Sequence, residues 1–139
     1  MSQEIISKEL IDLLTMHEGI ELKPYMCPAN RLTIGIGRNL EDCGITLEEA
    51  EYLLMNDLKD CIKDLRIIFP KWHLIETKKQ HALIDMRFNL GGPRFRRFKK
   101  MIKAVDDFDW ANVAKEMEDS LWFRQVGERA KRLQRMIIS

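Results

Sequence analysis

Only one stretch of this sequence, residues 20–42, departs from the spacing of amphipathic helices, and this limits the fold to a mainly helical one. Prolines and glycines interrupt short apolar pieces there. The pieces ELKPY and RLTIGIG predict two brief strands joined by a turn at Pro28-Ala29-Asn30. The sequence therefore predicts the α+β class, with a small antiparallel β hairpin near the N-terminus.

Helical periodicity surrounds this β region. Apolar residues three and four positions apart predict a first helix over residues 3–16, with a glycine as its stop signal. Thr46 and Glu49 form a capping box, which predicts the start of a long amphipathic helix that extends to about residue 67 and is ended by Pro70. A helix of that length is long enough to connect two lobes.

The second half of the chain predicts further helices. Thr77 and Gln80 form a second possible capping box. The helix that follows is too apolar for the surface, so we expect it to be the central core helix, ended by Gly91-Gly92-Pro93. Its apolar residues are Ala82, Leu83, Met86, Phe88 and Leu90. Three shorter helices are predicted near residues 95–104, 110–125 and 128–138, with Asp109 as the N-cap of the second.

Composition and charge exclude a disordered chain but leave the partner open. The 139 residues fit one domain or two small lobes, with 45% hydrophobic and 32% charged residues. Residues 1–86 carry 10 Lys and Arg against 15 Asp and Glu, whereas residues 87–139 carry 13 against 7. The basic half suits an anionic polymer, a membrane surface or nucleic acid, and equally a set of solvated helix faces. Its densest segment contains Arg94, Arg96, Arg97, Lys99, Lys100 and Lys103.

The cysteines and the N-terminal segment bear on the compartment. Cys27, Cys43 and Cys61 form no CxxC pair and no zinc-ligand spacing. Their odd number fits synthesis in a reducing compartment, and pairing of Cys43 with Cys61 after export stays open. Charges within the first 12 residues interrupt the apolar core that a signal peptide needs, and the apolar stretches are too short to span a bilayer. We therefore expect neither a signal peptide nor a membrane anchor.

Three polar residues have a spacing that suits glycoside hydrolysis. Eight residues separate Glu18 from Cys27, and five separate Cys27 from Thr33. With Glu18 at a helix end and the other two on the adjacent hairpin, the three side chains can face one cleft. In such a cleft a carboxylic acid protonates the leaving oxygen, and a second group acts on the attacking water or the glycosyl cation. By itself the spacing is weak, because an exposed glutamate, a small buried cysteine and a strand threonine explain it as well.

Longer segments carry a resemblance to a known family. The segment HEGIELKPYMCPANRLTIGIGRNL resembles the active-site segment of the phage T4-type lysozymes, glycoside hydrolase family 24. That family's pattern is Glu, eight residues, Asp or Cys, five residues, Thr and then Gly-hydrophobic-Gly, and every element is present. Farther along, ALIDMRFNLG resembles the family's core helix, and SLWFRQVGERAKRL resembles its C-terminal Trp and Arg-Ala-Lys-Arg segment. The resemblance runs in order from about residue 10 to residue 135.

The resemblance implies a lysozyme-like fold of two lobes within a single domain, residues 1–139. A β-containing active-site lobe is expected over about residues 15–45, and a connecting helix over about 46–68. A helical lobe is expected over about 69–139, with the N-terminal helix packed on it.

It also implies roles for individual residues. Glu18 matches the family's catalytic acid, and to donate a proton near neutral pH its pKa should lie above the free value of about 4.3. Arg129 matches the arginine that pairs with this glutamate in the family. Because a nearby cation lowers the pKa of a carboxyl group, we expect Arg129 mainly to orient Glu18.

Cys27 and Thr33 match the residues that act on the attacking water. A thiol with an ordinary pKa of about 8.5 is mostly protonated at pH 7 and is a poor base. Cys27 therefore needs thiolate character, or acts by positioning water, and a covalent thioglycosyl route is a third option. Saccharide contacts are expected from Asn89, which matches an amide of the family's cleft, and from Tyr25 and Leu32 beside the catalytic hairpin.

Three functions stay open from the sequence. The first is an active muramidase for lysis of a host by a phage, and the second is a catalytically weak lysozyme-fold module that binds peptidoglycan. The third is a nucleic-acid-binding helical domain, which lacks a recognition motif. The first implies a peptidoglycan glycan strand as the partner, with no nucleic acid, no stable membrane insertion and no metal or cofactor. It also implies a monomer that accumulates in the host cytoplasm and reaches the cell wall with the help of a holin.

Overall fold

A computed structural model describes residues 5–139 of the chain. These residues form two compact units, a first that ends at Glu51 and a second that spans Tyr52–Ser139. Most of the secondary structure is helical, and the first unit contains a small antiparallel sheet. The predicted α+β class is therefore confirmed.

The first helix, α1, spans Lys8–Glu18. The hydroxyl of Ser7 accepts a hydrogen bond from the backbone N–H of Leu10 at 3.2 Å and caps the helix. Residues 6 and 7 are not helical, so the predicted helix over residues 3–16 is not continuous; residues 3 and 4 lie outside the described residues. Gly19, with φ of 77°, ends the helix, so Glu18 is its last residue.

Three short strands make the sheet of the first unit in the order β1-β2-β3. They are β1 (Glu21–Met26), β2 (Leu32–Gly35) and β3 (Arg38–Asn39). Strands β1 and β2 form the predicted hairpin, and Tyr25 lies opposite Thr33. The sequence missed β3. It arises because the chain reverses between Gly35 and Gly37, whose φ values of 73° and 70° are accessible to glycine at little cost.

Two helices follow the sheet, α2 (Leu40–Cys43) and α3 (Leu47–Ile68). The predicted capping box of α3 is confirmed. The Thr46 hydroxyl accepts from the Glu49 backbone N–H at 3.1 Å, and the Glu49 carboxylate accepts from the Thr46 N–H at 2.8 Å. The same carboxylate receives two hydrogen bonds from Arg38, at 3.0 and 2.7 Å, which link β3 to the start of α3.

The second unit is helical. After α3 it contains a 3-10 turn (Trp72–Leu74), α4 (Thr77–Leu90), α5 (Gly92–Phe95), α6 (Lys99–Asp106), α7 (Trp110–Glu118), α8 (Leu121–Val126) and α9 (Glu128–Ile138). Its most deeply buried side chains include Leu65, Phe69, Leu83, Met86, Phe95, Met101, Val113, Met117 and Ile137. This apolar core is continuous, as expected for a unit stabilised chiefly by hydrophobic burial.

Helix α4 is a core helix, as predicted, although one of its expected core residues is not buried. Four of the five predicted apolar residues, Ala82, Leu83, Met86 and Leu90, are buried, but Phe88 is 42% exposed. Two residues along an α-helix correspond to a rotation of about 200°. Phe88 therefore points away from the face that buries Met86, and it lines a surface groove instead.

Several predicted helix boundaries were wrong because of local capping. Thr77 and Gln80 form no capping box; Glu76 precedes α4, and the Gln80 side chain donates to the Trp72 carbonyl at 2.9 Å. The predicted helix 95–104 corresponds to α6, which begins later, at Lys99, while Phe95 ends the short helix α5. The predicted helix 110–125 is divided at Ser120, whose hydroxyl accepts from the Phe123 N–H and starts α8.

The Asp109 cap and the last helix are confirmed.

All three cysteines are free, with Cys43 exposed and Cys61 buried. Within residues 5–139, none of the helices combines the length and the apolar composition that crossing a membrane requires.

Candidate active site

Glu18 lies against the turn that joins β2 to β3. It is exposed at the end of α1, and its carboxyl group packs on Gly37. A Cβ atom at position 37 would lie 2.7 Å from Glu18 Oε2 and 2.9 Å from Cδ, closer than non-bonded atoms approach. Gly37 therefore does two things: it adopts a positive φ in the turn, and it leaves room for the carboxyl group.

Cys27 follows β1 directly and begins the hairpin turn. Its backbone N–H donates to the Arg31 carbonyl at 3.0 Å, and its carbonyl accepts from the Asn30 N–H at 2.8 Å. Asn30 adopts a left-handed φ of 62°, a conformation that asparagine tolerates better than most residues. The predicted turn at residues 28–30 is confirmed, and it leaves Cys27 half-buried.

Thr33 lies on β2 and is 3% exposed. Its hydroxyl donates to the Arg31 carbonyl at 2.8 Å, so this carbonyl binds both Thr33 and the backbone of Cys27. The hairpin thus arranges Cys27 and Thr33 around a single residue, Arg31.

The surroundings of Cys27 favour its anionic form. Hydrogen bonding from the Arg31 backbone, and secondly from the Thr33 side chain, lowers the pKa of the Cys27 thiol below its ordinary value, and burial opposes this only in part. A lowered pKa increases the thiolate fraction near neutral pH. Of the options left open by the sequence, this favours thiolate character.

Glu18, Cys27 and Thr33, which are predicted to act together, all belong to the first unit, but they lie at different places in it. Cys27 and Thr33 are neighbours on the hairpin, whereas Glu18 contacts the next turn of the same sheet at Gly37. Tyr25 is half-buried opposite Thr33, and Leu32 is 39% exposed at the start of β2. That the three side chains act on one substrate stays a prediction.

Arg129 and Asn89 belong to the second unit. The Nε of Arg129 donates to Asp85 Oδ1 at 2.8 Å, a partner that the sequence did not suggest. Asn89 is exposed, and its Oδ1 accepts from the indole N–H of the buried Trp122 at 2.7 Å. Because the indole can only donate, this bond identifies the amide oxygen of Asn89 and leaves the NH₂ group available as a donor.

Arg129 and Asp85 lie at the edge of an apolar groove of about 480 Å³ in the second unit. The groove is also lined by Leu54, Leu58, Ile62, His81, Ile84 and Phe88. It explains why Phe88 is exposed. The sequence pattern had no means of distinguishing a groove residue from a core residue.

Part of the basic segment is neutralised within the second unit. Arg96 binds Asp64, and Lys103 lies 3.2 Å from Asp107. Arg87 also binds Asp64, at 2.7 Å, and hydrogen bonds from Arg96 and Arg87 keep the pKa of this carboxyl below its ordinary value. A structural role thus accounts for Arg96, whereas Arg94, Arg97, Lys99 and Lys100 are exposed.

The sequence is similar to a family of known proteins. It matches the phage lysozyme family model over residues 15–136. It is 28% identical to "Probable T4-type lysozyme 1" of Dictyostelium discoideum, over 88% of this chain and 89% of that protein. It is 28% identical to an "Endolysin" of Acyrthosiphon pisum secondary endosymbiont phage 1, over 80% of this chain and 76% of that protein.

A further relative is much longer than this chain. The "Pre-baseplate central spike protein Gp5" of Enterobacteria phage T4 is 29% identical over 94% of the chain, but the match covers 28% of that protein. The family match covers most of the chain, from before Glu18 to beyond Arg129. The chain therefore belongs to the phage lysozyme family and carries the lysozyme-type glycosidase domain of that family.

Proposed function

We propose that the protein is a muramidase, which hydrolyses the β-1,4 bond between N-acetylmuramic acid and N-acetylglucosamine in bacterial peptidoglycan. Glu18 is the general acid, and Cys27 and Thr33 act on the attacking water. The observation that carries this proposal is the hairpin geometry, in which the Arg31 carbonyl accepts hydrogen bonds from both the buried Thr33 hydroxyl and the backbone N–H of Cys27. The family's activity on glycans supports it.

The proposed reaction is a single displacement. Glu18 donates its proton to the glycosidic oxygen, and the bond from that oxygen to the anomeric carbon breaks. The Cys27 thiolate takes a proton from water on the opposite face of the sugar while the water oxygen bonds to the anomeric carbon. The hydroxyl of Thr33 already donates to the Arg31 carbonyl, so its oxygen can accept a hydrogen bond from this water.

The second unit contributes orientation and binding in this proposal. Asp85 holds the Arg129 guanidinium by one N–H, which leaves other N–H groups free to orient Glu18. The NH₂ group of Asn89, fixed through Trp122, donates to the saccharide, and Tyr25 and Leu32 contact it from the hairpin side. We also propose that the domain is organised into an active-site lobe, a connecting helix and a helical lobe.

The biological role proposed is lysis of a bacterial host by a phage. The likeness to an endolysin supports this role. The protein then acts as a monomer on the cell wall, after release from the host cytoplasm through a holin.

The proposal is tested by the change Glu18→Gln, with Glu9→Gln on the same helix as the matched control. Glu9 is an exposed carboxylate in the first turn of α1, far along the helix from the proposed reaction. Wild-type protein and Glu9→Gln should clear outer-membrane-permeabilised bacteria. Glu18→Gln should lose at least roughly 10²-fold in rate, the usual contribution of a general acid.

Product analysis separates the alternatives. Mass spectrometry of digested peptidoglycan should show fragments with reducing N-acetylmuramic acid ends. Folded wild-type protein that sediments with peptidoglycan but releases no such fragments would instead identify a binding module. Equal activity of Glu18→Gln and wild type would rule out the role of Glu18.

A further inference from the structure

Arg31 is the residue on which the geometry of the hairpin depends. Its carbonyl accepts from the Thr33 hydroxyl at 2.8 Å and from the Cys27 N–H at 3.0 Å. A small rotation of the Arg31 backbone would therefore turn Cys27 and Thr33 away from each other. The residues that fix the position of Arg31 therefore also fix the positions of Cys27 and Thr33.

The side chain of Arg31 is held by two carboxylates of helix α2. Its Nη1 donates to Glu41 Oε2 at 2.8 Å, and its Nε lies 3.6 Å from Asp42 Oδ2. The other oxygen of Glu41 accepts from the backbone N–H of Leu32 at 3.4 Å. Glu41 therefore binds both the side chain of Arg31 and the backbone N–H of Leu32. These two groups flank the Arg31 carbonyl along the chain.

Helix α2 is itself tied to the strand that carries Thr33. Asn39 lies opposite Thr33 in the β2–β3 pairing. Its Oδ1 accepts from the Asp42 N–H at 3.0 Å, and its Nδ2 donates to the Asp42 carboxylate at 2.9 Å. Helix α2 is therefore bound at two places in the sheet: to β3 through Asn39, and to the hairpin through Arg31.

We propose that Glu41 is a positioning residue of the active site, which fixes the hairpin through Arg31 and Leu32 and thereby orients Cys27 and Thr33 toward the attacking water. This inference rests on the proposed function for the role of those two residues. The Arg31–Glu41 pair is about half-exposed, and exposed ion pairs add little to stability. The loss of Glu41 should therefore change the geometry of the turn without unfolding the protein.

The test uses Glu41→Gln in the full chain, with Glu48→Gln as the control. Glu48 is an exposed carboxylate in the first turn of α3 and belongs to the same unit. The first measurement is turnover of peptidoglycan, in which kcat of Glu41→Gln should fall roughly 10-fold with little change in KM, because misplacement of reacting groups affects the chemical step. Glu48→Gln should retain the wild-type kcat.

The second measurement needs no enzymatic activity. The rate of alkylation of Cys27 by iodoacetamide is followed against pH, with peptide mapping by mass spectrometry to separate it from the other two cysteines. In Glu41→Gln the midpoint of this profile should move to higher pH, because the Arg31 backbone and the Thr33 side chain, which lower the pKa of the Cys27 thiol, are no longer held in place. The midpoint should stay in place in Glu48→Gln.

A charge swap completes the test. The double variant Arg31→Glu/Glu41→Arg restores an ion pair in the opposite sense, and we expect it to recover much of the lost kcat and to return the alkylation midpoint toward that of wild type. An unchanged midpoint and unchanged kcat in folded Glu41→Gln overturn the positioning role. A shifted midpoint in a protein whose wild type releases no muropeptides supports the positioning role and refutes the proposed function.

Discussion

The contact between Glu18 and Gly37 predicts that one added methyl group at position 37 will lower kcat in addition to the free energy of unfolding. In Gly37→Ala, the new Cβ would lie 2.7 Å from Glu18 Oε2, 2.9 Å from Cδ and 3.1 Å from Cγ. Ordinary contact distances begin near 3.4 Å. The carboxyl group must therefore move by several tenths of an ångström as a unit, since three of its successive atoms are too close.

The size of each effect follows from the geometry. An alanine at φ of 70° costs about 1–2 kcal/mol in the free energy of unfolding, because its Cβ crowds the following carbonyl oxygen. Displacement of a catalytic group by about 1 Å can reduce the rate of the chemical step by roughly 10²-fold. We therefore expect kcat to fall between roughly 10-fold and 10²-fold in Gly37→Ala.

Gly35→Ala is a matched control for this change. Gly35 has nearly the same φ, 73°, but a Cβ at that position would have no neighbour within 4 Å. Both variants should lose a similar free energy of unfolding in urea titrations, since both carry the same backbone strain. Only Gly37→Ala should lose kcat when peptidoglycan release is measured at a temperature where both variants are folded.

Two results would refute this reasoning. Wild-type kcat in folded Gly37→Ala would show that the position of the Glu18 carboxyl group against the turn has no bearing on turnover. An equal loss of kcat in Gly35→Ala would assign the effect to strain in the β2–β3 turn, and not to the contact with Glu18.

Two further predictions concern charge. Hydrogen bonds from Arg38, and secondly from Thr46, lower the pKa of Glu49 from 4.5 to about 2, so its stabilising effect is complete above pH 4.5 and is lost as the pH falls toward 2. The difference in unfolding free energy between wild type and Arg38→Met should shrink over this range in acid titrations, and a difference independent of pH would contradict it. For Cys27, Cys27→Asp should keep activity and Cys27→Ser should lose most of it in peptidoglycan assays, whereas a fully active serine variant would exclude thiolate chemistry.

The sequence predicted an element correctly where residues close together in the chain determine it. The capping box of Thr46 and Glu49 acts over three residues, and the β1–β2 hairpin acts over a short turn, so both were predicted correctly. The break at Ser120 is equally local, and its hydroxyl was available as an N-cap signal inside the predicted helix 110–125. It was missed because apolar periodicity continues across it.

Contacts between distant residues were beyond the reach of the pattern. Arg38 and Glu49 are 11 residues apart, Arg87 and Asp64 are 23 apart, and any of several opposite charges would have been an equally good partner on sequence grounds. The spacing of Cys27 and Thr33 on either side of a predicted turn placed both residues on one hairpin, but the register, which sets Thr33 opposite Tyr25, could not be derived from it. The contacts of Gly37 with Glu18 and of Glu41 with Arg31 form only in the folded unit, so the sequence pattern did not indicate them.

The hairpin is compatible with either aspartate or cysteine at position 27, the two residues that the resemblance allows there. Neither the Arg31 backbone nor the Thr33 side chain is specific for sulfur, since polar groups that lower the pKa of a thiol also favour other anions. A carboxylate at this position would receive the same donors that lower the pKa of the Cys27 thiol. A serine would not, because its hydroxyl stays neutral and gains little from donors that stabilise negative charge. In the proposed mechanism the turn around Arg31 would therefore act by stabilising an anion, and the residue at position 27 would need only to carry a negative charge when water attacks.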